Sequence, residues 1–190
     1  MRREEGFTLV ELVVSISVII FISVTIFANF PKFRQVIAVD NATRELALAL
    51  REAQSRAVAI SIVNGTPNNN YGIYMSTTAA EKKSFVLFTD STSDNRYIPG
   101  ASCIGECLIK YNLQGGVYIQ SFAAPVVTGC TITNKMVVMY RRPDPRTDVL
   151  DNIGGVCNEY GPFTINIWSQ DNVEKRKIIV WRTGQISITQ

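Results

Sequence analysis

Glu11 is the one charged residue between Glu5 and Lys32, in a run that reads Gly-Phe-Thr-Leu-Val-Glu-Leu-Val-Val-Ser-Ile-Ser-Val-Ile-Ile-Phe-Ile from Gly6 to Ile22. A carboxylate at bilayer depth costs roughly 2.5–3.5 kcal/mol on insertion scales, so an intramembrane acid is a functional hypothesis that needs a partner. The same segment offers one. A cut after Gly6 would place a new α-amino group on Phe7, four residues before Glu11. Amine and carboxylate could then neutralise each other, within one chain or between neighbours.

Other chemistry is scarce. The 190 residues contain no histidine, which removes Ser-His-Asp and Cys-His catalysis and leaves a metal only thiolate and oxygen ligands. The four cysteines, Cys103, Cys107, Cys130 and Cys157, all lie in the C-terminal two thirds. An even count in an exported domain suggests two disulfides, with three possible connectivities. Cys103 and Cys107 could close a small ring, leaving Cys130 to pair with Cys157. A zinc site on Cys-x3-Cys spacing is the rival, but the second pair is too far apart in sequence to form a knuckle. The formal net charge is +3, and loss of residues 1–6 leaves it unchanged because Arg2 and Arg3 go with Glu4 and Glu5. From Asn64 onward there are 12 basic and 10 acidic residues, so composition shows no concentrated basic field for a nucleic acid. The clusters Arg141–Arg146 and Lys175-Arg176-Lys177 read as a solvated turn and a strand start with exposed charges.

These residues need elements to hold them. Leu12 to Ala28 is uncharged and, with its neighbours, reaches the ~20 residues that span a bilayer. No Ala-x-Ala pattern follows it, as a removable secretory signal would show. Apolar residues then recur at Phe33, Val36, Ile37, Ala42, Leu46, Ala49, Leu50, Ala53, Ala57 and Ile60, in steps of three and four that mark one helix face. Arg44, Glu45, Arg51, Glu52 and Arg56 fall on the solvated side. One helix is expected from Phe7 to about Val63, with a kink or local melting at Pro31. Asn64-Gly65-Thr66-Pro67 and the asparagines after it end that helix. Strands are expected at 71–77, 84–89, 117–122, 135–140, 163–168, 175–181 and 185–189, the last two closed by Arg182-Thr183-Gly184-Gln185. Residues 91–116 and 141–161 read as long loops. The fold class is α+β, an antiparallel sheet packed on the amphipathic half of a long helix.

The N-terminal pattern resembles the type IV pilins, including the pseudopilins of type II secretion and the minor pilins of DNA uptake. Gly6, Phe7, Thr8, Leu9, Val10, Glu11 and Leu12 match that family's polar leader ending in Gly, then Phe, then a hydrophobic helix with Glu at its fifth position. The paired acids Glu4 and Glu5 depart from the basic leader of the family. The resemblance implies a leader at 1–6, a spine helix at 7–63 whose membrane segment covers about 7–28, and a β-rich head at 64–190. It implies a prepilin peptidase that cuts after Gly6 and methylates Phe7, with Glu11 serving filament assembly. It also implies other pilin subunits and an inner-membrane platform as partners, and a single-pass membrane protein with its head outside the cytoplasm until assembly. The implied role is a structural subunit of the minor kind, with neither enzyme activity nor a cofactor. The alternative is a head that captures DNA or a secreted substrate. The head's terminal hairpin is similar to those of the H-type pseudopilins and T-type fimbrial pilins. Some DNA-uptake pilins of that branch carry arginines just after the last-hairpin glycine, whereas Gly184 is followed here by Gln185, Ile186 and Ser187, which argues against DNA binding by that route. Some pseudopilins bind calcium in head loops. Asp90-Ser91-Thr92-Ser93-Asp94-Asn95 has oxygen ligands, but it lacks the Gly and distal Glu of an EF-hand and reads better as a turn.

Overall fold

Thr8 starts the long helix, α1 (Leu9–Val58): its backbone is extended (φ −76°, ψ 150°) and its side chain accepts from the Glu11 amide. A short polar side chain in that position satisfies one of the amides a helix start leaves open. The computed structural model describes residues 8–59, 62–63, 66–67, 70–97, 105–124, 132–141, 146–151, 155–157 and 162–189. Helix α1 is unbroken through Pro31, so the melting expected there does not occur. A proline removes only one backbone bond, and long helical turns on both sides carry the chain across it. The helix also stops short of Val63. Ala59 turns extended, its amide donating to the Ser55 carbonyl at 2.9 Å. Ile62–Val63 (β1) then pairs antiparallel with Thr66–Pro67 (β2). Two β-branched residues before Asn-Gly favour a two-residue hairpin over another helical turn.

The head contains two larger antiparallel sheets where one was expected. Asn70–Ser76 (β3), Ser84–Thr89 (β4), Cys107–Asn112 (β5), Lys135–Arg141 (β7) and Thr147–Leu150 (β8) form a five-stranded sheet in the order β5-β4-β3-β7-β8. Tyr118–Ala123 (β6), Phe163–Trp168 (β9), Lys175–Val180 (β10) and Ile186–Thr189 (β11) form a four-stranded sheet in the order β11-β10-β9-β6. Strands β5 and β8 lie inside the stretches expected to be loops. The expected last hairpin is present, with Gly184 at φ 84° and Trp181 exchanging bonds with Gly184 and Gln185. The Thr147 amide donates to the Arg182 carbonyl at 3.1 Å, tying the edge of one sheet to the turn of the other.

Both sheets close on one stretch of α1. Val39, Ala42, Leu46, Ala49, Leu50, Ala53 and Ala57 are buried against Ile73, Phe85, Val138, Ile165, Ile178 and their neighbours. The alanines let strands approach the helix closely. Phe33 and Ile37, expected on this face, are instead 62% and 42% exposed: the packed stretch begins at Val39, above them. Strands β3, β4 and β7 are buried on both faces, because Tyr74, Val86, Phe88, Val137, Met139 and Leu150 make a second core on the outer side, with Tyr97 packed on it. Gly72 makes room there, since a Cβ would stand 2.7 Å from the Phe88 ring.

Candidate functional site

The first turns of α1 separate satisfied polar groups from one that is not. Thr8 Oγ1 accepts from the Glu11 amide at 3.3 Å, and the Thr8 carbonyl accepts from the Leu12 amide at 3.2 Å. Ser15, Ser17, Ser23 and Thr25 each turn the hydroxyl back to a carbonyl of the helix itself, at 2.7–2.8 Å. Hydroxyls bonded this way present no open donor to lipid. The Glu11 carboxylate stands apart: it is exposed, and among the described residues nothing pairs with it. Its place in the first turn suits an anion, because the unpaired amides of a helix start carry partial positive charge. Thr8-Leu9-Val10-Glu11 is also the sequence of a capping box, a pattern the sequence analysis passed over. Only the Thr8 half of that box is made, so capping does not use up the carboxylate. The whole apolar stretch around it is unburied, and α1 is long and apolar enough to cross a membrane.

Residues 1–27 match the family model described as the prokaryotic N-terminal methylation motif. Among solved structures, the minor pseudopilin EpsH from the Type 2 Secretion System of Vibrio cholerae is similar to it at a TM-score of 0.43 and 11% identity, over 80% of this chain and 95% of that one. No curated protein matches. The motif joins Gly6, Phe7 and Glu11 in a single segment; Gly6 and Phe7 lie outside the described residues, and Glu11 is at the N-terminal end of α1.

The other candidates sit in the head. Cys107 and Cys157 are both disulfide-bonded. The expected pairing rests on Cys103 and Cys130, which lie outside the described residues. In the loop after β4, Asp90 is buried and its oxygens accept from the Asp94 and Asn95 amides and from the Asn70 side chain. Glu106 Oε1 likewise accepts from the amides and hydroxyls of Ser91 and Thr92. These oxygens are taken up by N–H and O–H donors in a pinned turn. No cluster suited to a metal occurs among the described residues. Arg141 pairs with Asp148 at 2.8 Å and donates to Asn95 at 3.1 Å, while residues 142–145 lie outside the description.

Arg176 overturns the expectation that 175–177 simply expose charge. Strand alternation turns it inward between Lys175 and Lys177, and its Nε donates to Asp40 Oδ1 of α1 at 2.9 Å. Tyr111 makes a second link, donating to Glu52 Oε2 of the helix at 3.2 Å. Lys82 lies over the Tyr118 ring and Lys175 over the Trp168 ring, each 4.3 Å from the centroid. Those ring faces are covered by the chain's own lysines, so they do not form the open stacking platform that single-stranded nucleic acid uses.

Proposed function

We propose that this protein is a structural subunit, of the minor kind, of a type IV pilus or a type II secretion pseudopilus. It is inserted in the membrane, cut after Gly6, methylated at Phe7 and assembled through α1. The observation that carries this reading is the contrast along the first turns of α1, where Ser15, Ser17, Ser23 and Thr25 bond back to the helix and the Glu11 carboxylate has no partner among the described residues. A carboxylate with no partner among the described residues, in an apolar, unburied helix, is costly for a passive anchor and useful for one that joins a second chain. The methylation motif over residues 1–27 supports the same reading by implying a peptidase and fellow subunits. The head then serves as a rigid body fixed to the spine through the Val39–Ala57 face and the Asp40–Arg176 pair.

Mass spectrometry of the protein taken from membranes tests this. The expected product begins at Phe7 and carries one methyl group on its amine. A chain that retains 2–6, or one that begins beyond residue 28, would overturn both the processing and the assembly reading.

A further inference from the structure

At the base of the head, a recess of mixed polarity with Arg34 in its lining lies beside the same helix as an apolar one. The mixed recess, of about 370 Å³, is lined by Pro31, Arg34, Gln35, Ala38, Gly115 and Gln170. Directly below it along the helix, an apolar recess of about 420 Å³ is lined by Thr25, Ile26, Phe30 and Phe33. Ile26, Phe30 and Arg34 are spaced by four residues and so share one side of α1. Arg34 is exposed, and no acid pairs with it among the described residues. Gln35 Oε1 is shut off from solvent with no hydrogen-bond partner. The Gly115 amide is likewise without a partner among the described residues. Gly115 is held there by shape: at φ 68° its missing Cβ would stand 2.6 Å from the Ala38 Cβ.

Depth decides what such a pair of recesses would meet. From Leu9 to Phe30 the helix rises about 33 Å at 1.5 Å per residue, close to the ~30 Å thickness of the hydrocarbon layer. Phe30 and Phe33 therefore fall at the membrane surface, and Arg34 falls in the headgroup layer. An occupant of both recesses needs an anionic head for Arg34 and an apolar tail for Ile26, Phe30 and Phe33. Free phosphate would satisfy only the first.

We propose that this junction binds one anionic glycerophospholipid, its phosphate on Arg34 and one acyl chain along Ile26, Phe30 and Phe33. The bound lipid holds the base of the head at a fixed depth before the subunit leaves the bilayer. The proposal rests on the membrane placement of α1 and not on filament assembly.

Native mass spectrometry of the full chain in mild detergent, supplemented with phosphatidylglycerol or phosphatidylcholine, tests it. One phosphatidylglycerol should remain bound, at least about tenfold in preference to phosphatidylcholine, a difference of about 1.4 kcal/mol. Arg34→Gln should abolish that preference. Arg34 is exposed and unpaired, so the substitution should leave folding intact. Lys32→Gln is the control, because Lys32 lies at the same depth but lines neither recess; it should keep the lipid. Equal loss in both variants would show general charge attraction and overturn the site. Displacement of the lipid by millimolar inorganic phosphate would overturn the lipid as occupant. Retention of a second protein copy in place of lipid would overturn it as well. A wild-type chain that holds its lipid yet fails to be cut at Gly6 would leave this site standing and sink the assembly reading.

Discussion

The two halves of α1 share one helix and almost nothing else. From Leu9 to Phe27 nearly every side chain is exposed and most are apolar, whereas from Val39 to Ala57 a single face is buried to near zero exposure under two sheets. Helix propensity does not explain the difference, since both halves are helical. What differs is where partners come from. The second half finds its partners in the same chain, through alanines that admit the strands and through Asp40 and Glu52, which accept from Arg176 and Tyr111. The first half finds none among the described residues. In the proposed function its partners are lipid or other subunits, and Glu11 is the group that would distinguish those two environments.

The strongest way to break this comparison is to remove that group. Glu11→Leu should enter the membrane at least as well as the parent, since an uncompensated acid is expensive there. It should still be cut after Gly6. Its share in the sheared filament fraction, measured against the membrane pool, should nonetheless collapse. Glu11→Gln should fail in the same way, because it keeps the shape and loses the charge. Normal incorporation of both variants would reduce the first half of α1 to an anchor.

How legible the two halves were in the sequence follows the same division. The apolar run and Glu11 were plain, because a lone charge in a long, mostly apolar run stands out by composition alone. The packed face was read correctly from Ala42 to Ala57 but extended too far, to Phe33 and Ile37, since periodicity marks a face without saying where its partner begins. Strand β8 was hidden by its four residues and by Asp148 within them. Strand β5 is an edge strand of mixed burial, which blurs alternation. The three central strands β3, β4 and β7 were legible as β-rich runs, yet nothing in them announced a second core on the outer face. That core depends on a loop folding back to bring Tyr97 within 5.1 Å of Tyr74 and Phe88. Asp40–Arg176 was likewise invisible, because its partners are far apart in the chain and only the strand register turns Arg176 inward.

Stability measurements sharpen the contrast between the halves. Leu50→Ala removes a fully buried side chain between the sheets and should destabilise the head by about 2–5 kcal/mol. Ile19→Ala, at 62% exposure in the first half, should shift the same unfolding transition by less than about 0.5 kcal/mol. Comparable losses from both would mean that the halves unfold as one unit. The disulfides should act on the head alone. We expect Cys103–Cys107 and Cys130–Cys157, and removing either bridge should cost about 2–5 kcal/mol. Peptide mapping without reductant checks the pairing; four free thiols or stoichiometric zinc would refute it.

The smallest effect lies at high pH and belongs to the head's tyrosines. Tyr140 is buried, and no hydrogen bond reaches its hydroxyl. Burial raises its pKa well above the ordinary 10.0, against an opposite pull from the nearby Thr147 hydroxyl, which does not reach hydrogen-bonding geometry. Tyr74 is raised as well, first by burial and then by the hydrogen bond to Glu81 and that residue's charge. Below pH 10 both the folded and the unfolded chain hold these protons, and stability does not depend on them. Above pH 10 the unfolded chain releases them while the folded chain keeps them, so stability falls as pH rises. The slope is about 1.4 kcal/mol per pH unit for each such tyrosine. Denaturation midpoints measured from pH 8 to 11 should therefore be level and then decline. Tyr140→Phe should make the decline shallower by one tyrosine's share. It should also leave the midpoint at pH 8 unchanged or slightly higher, because it deletes a buried hydroxyl that has no partner. An unchanged slope in that variant would mean that Tyr140 ionises in the folded head, and that the β7–β8 edge of the five-stranded sheet opens to water before the rest of the core.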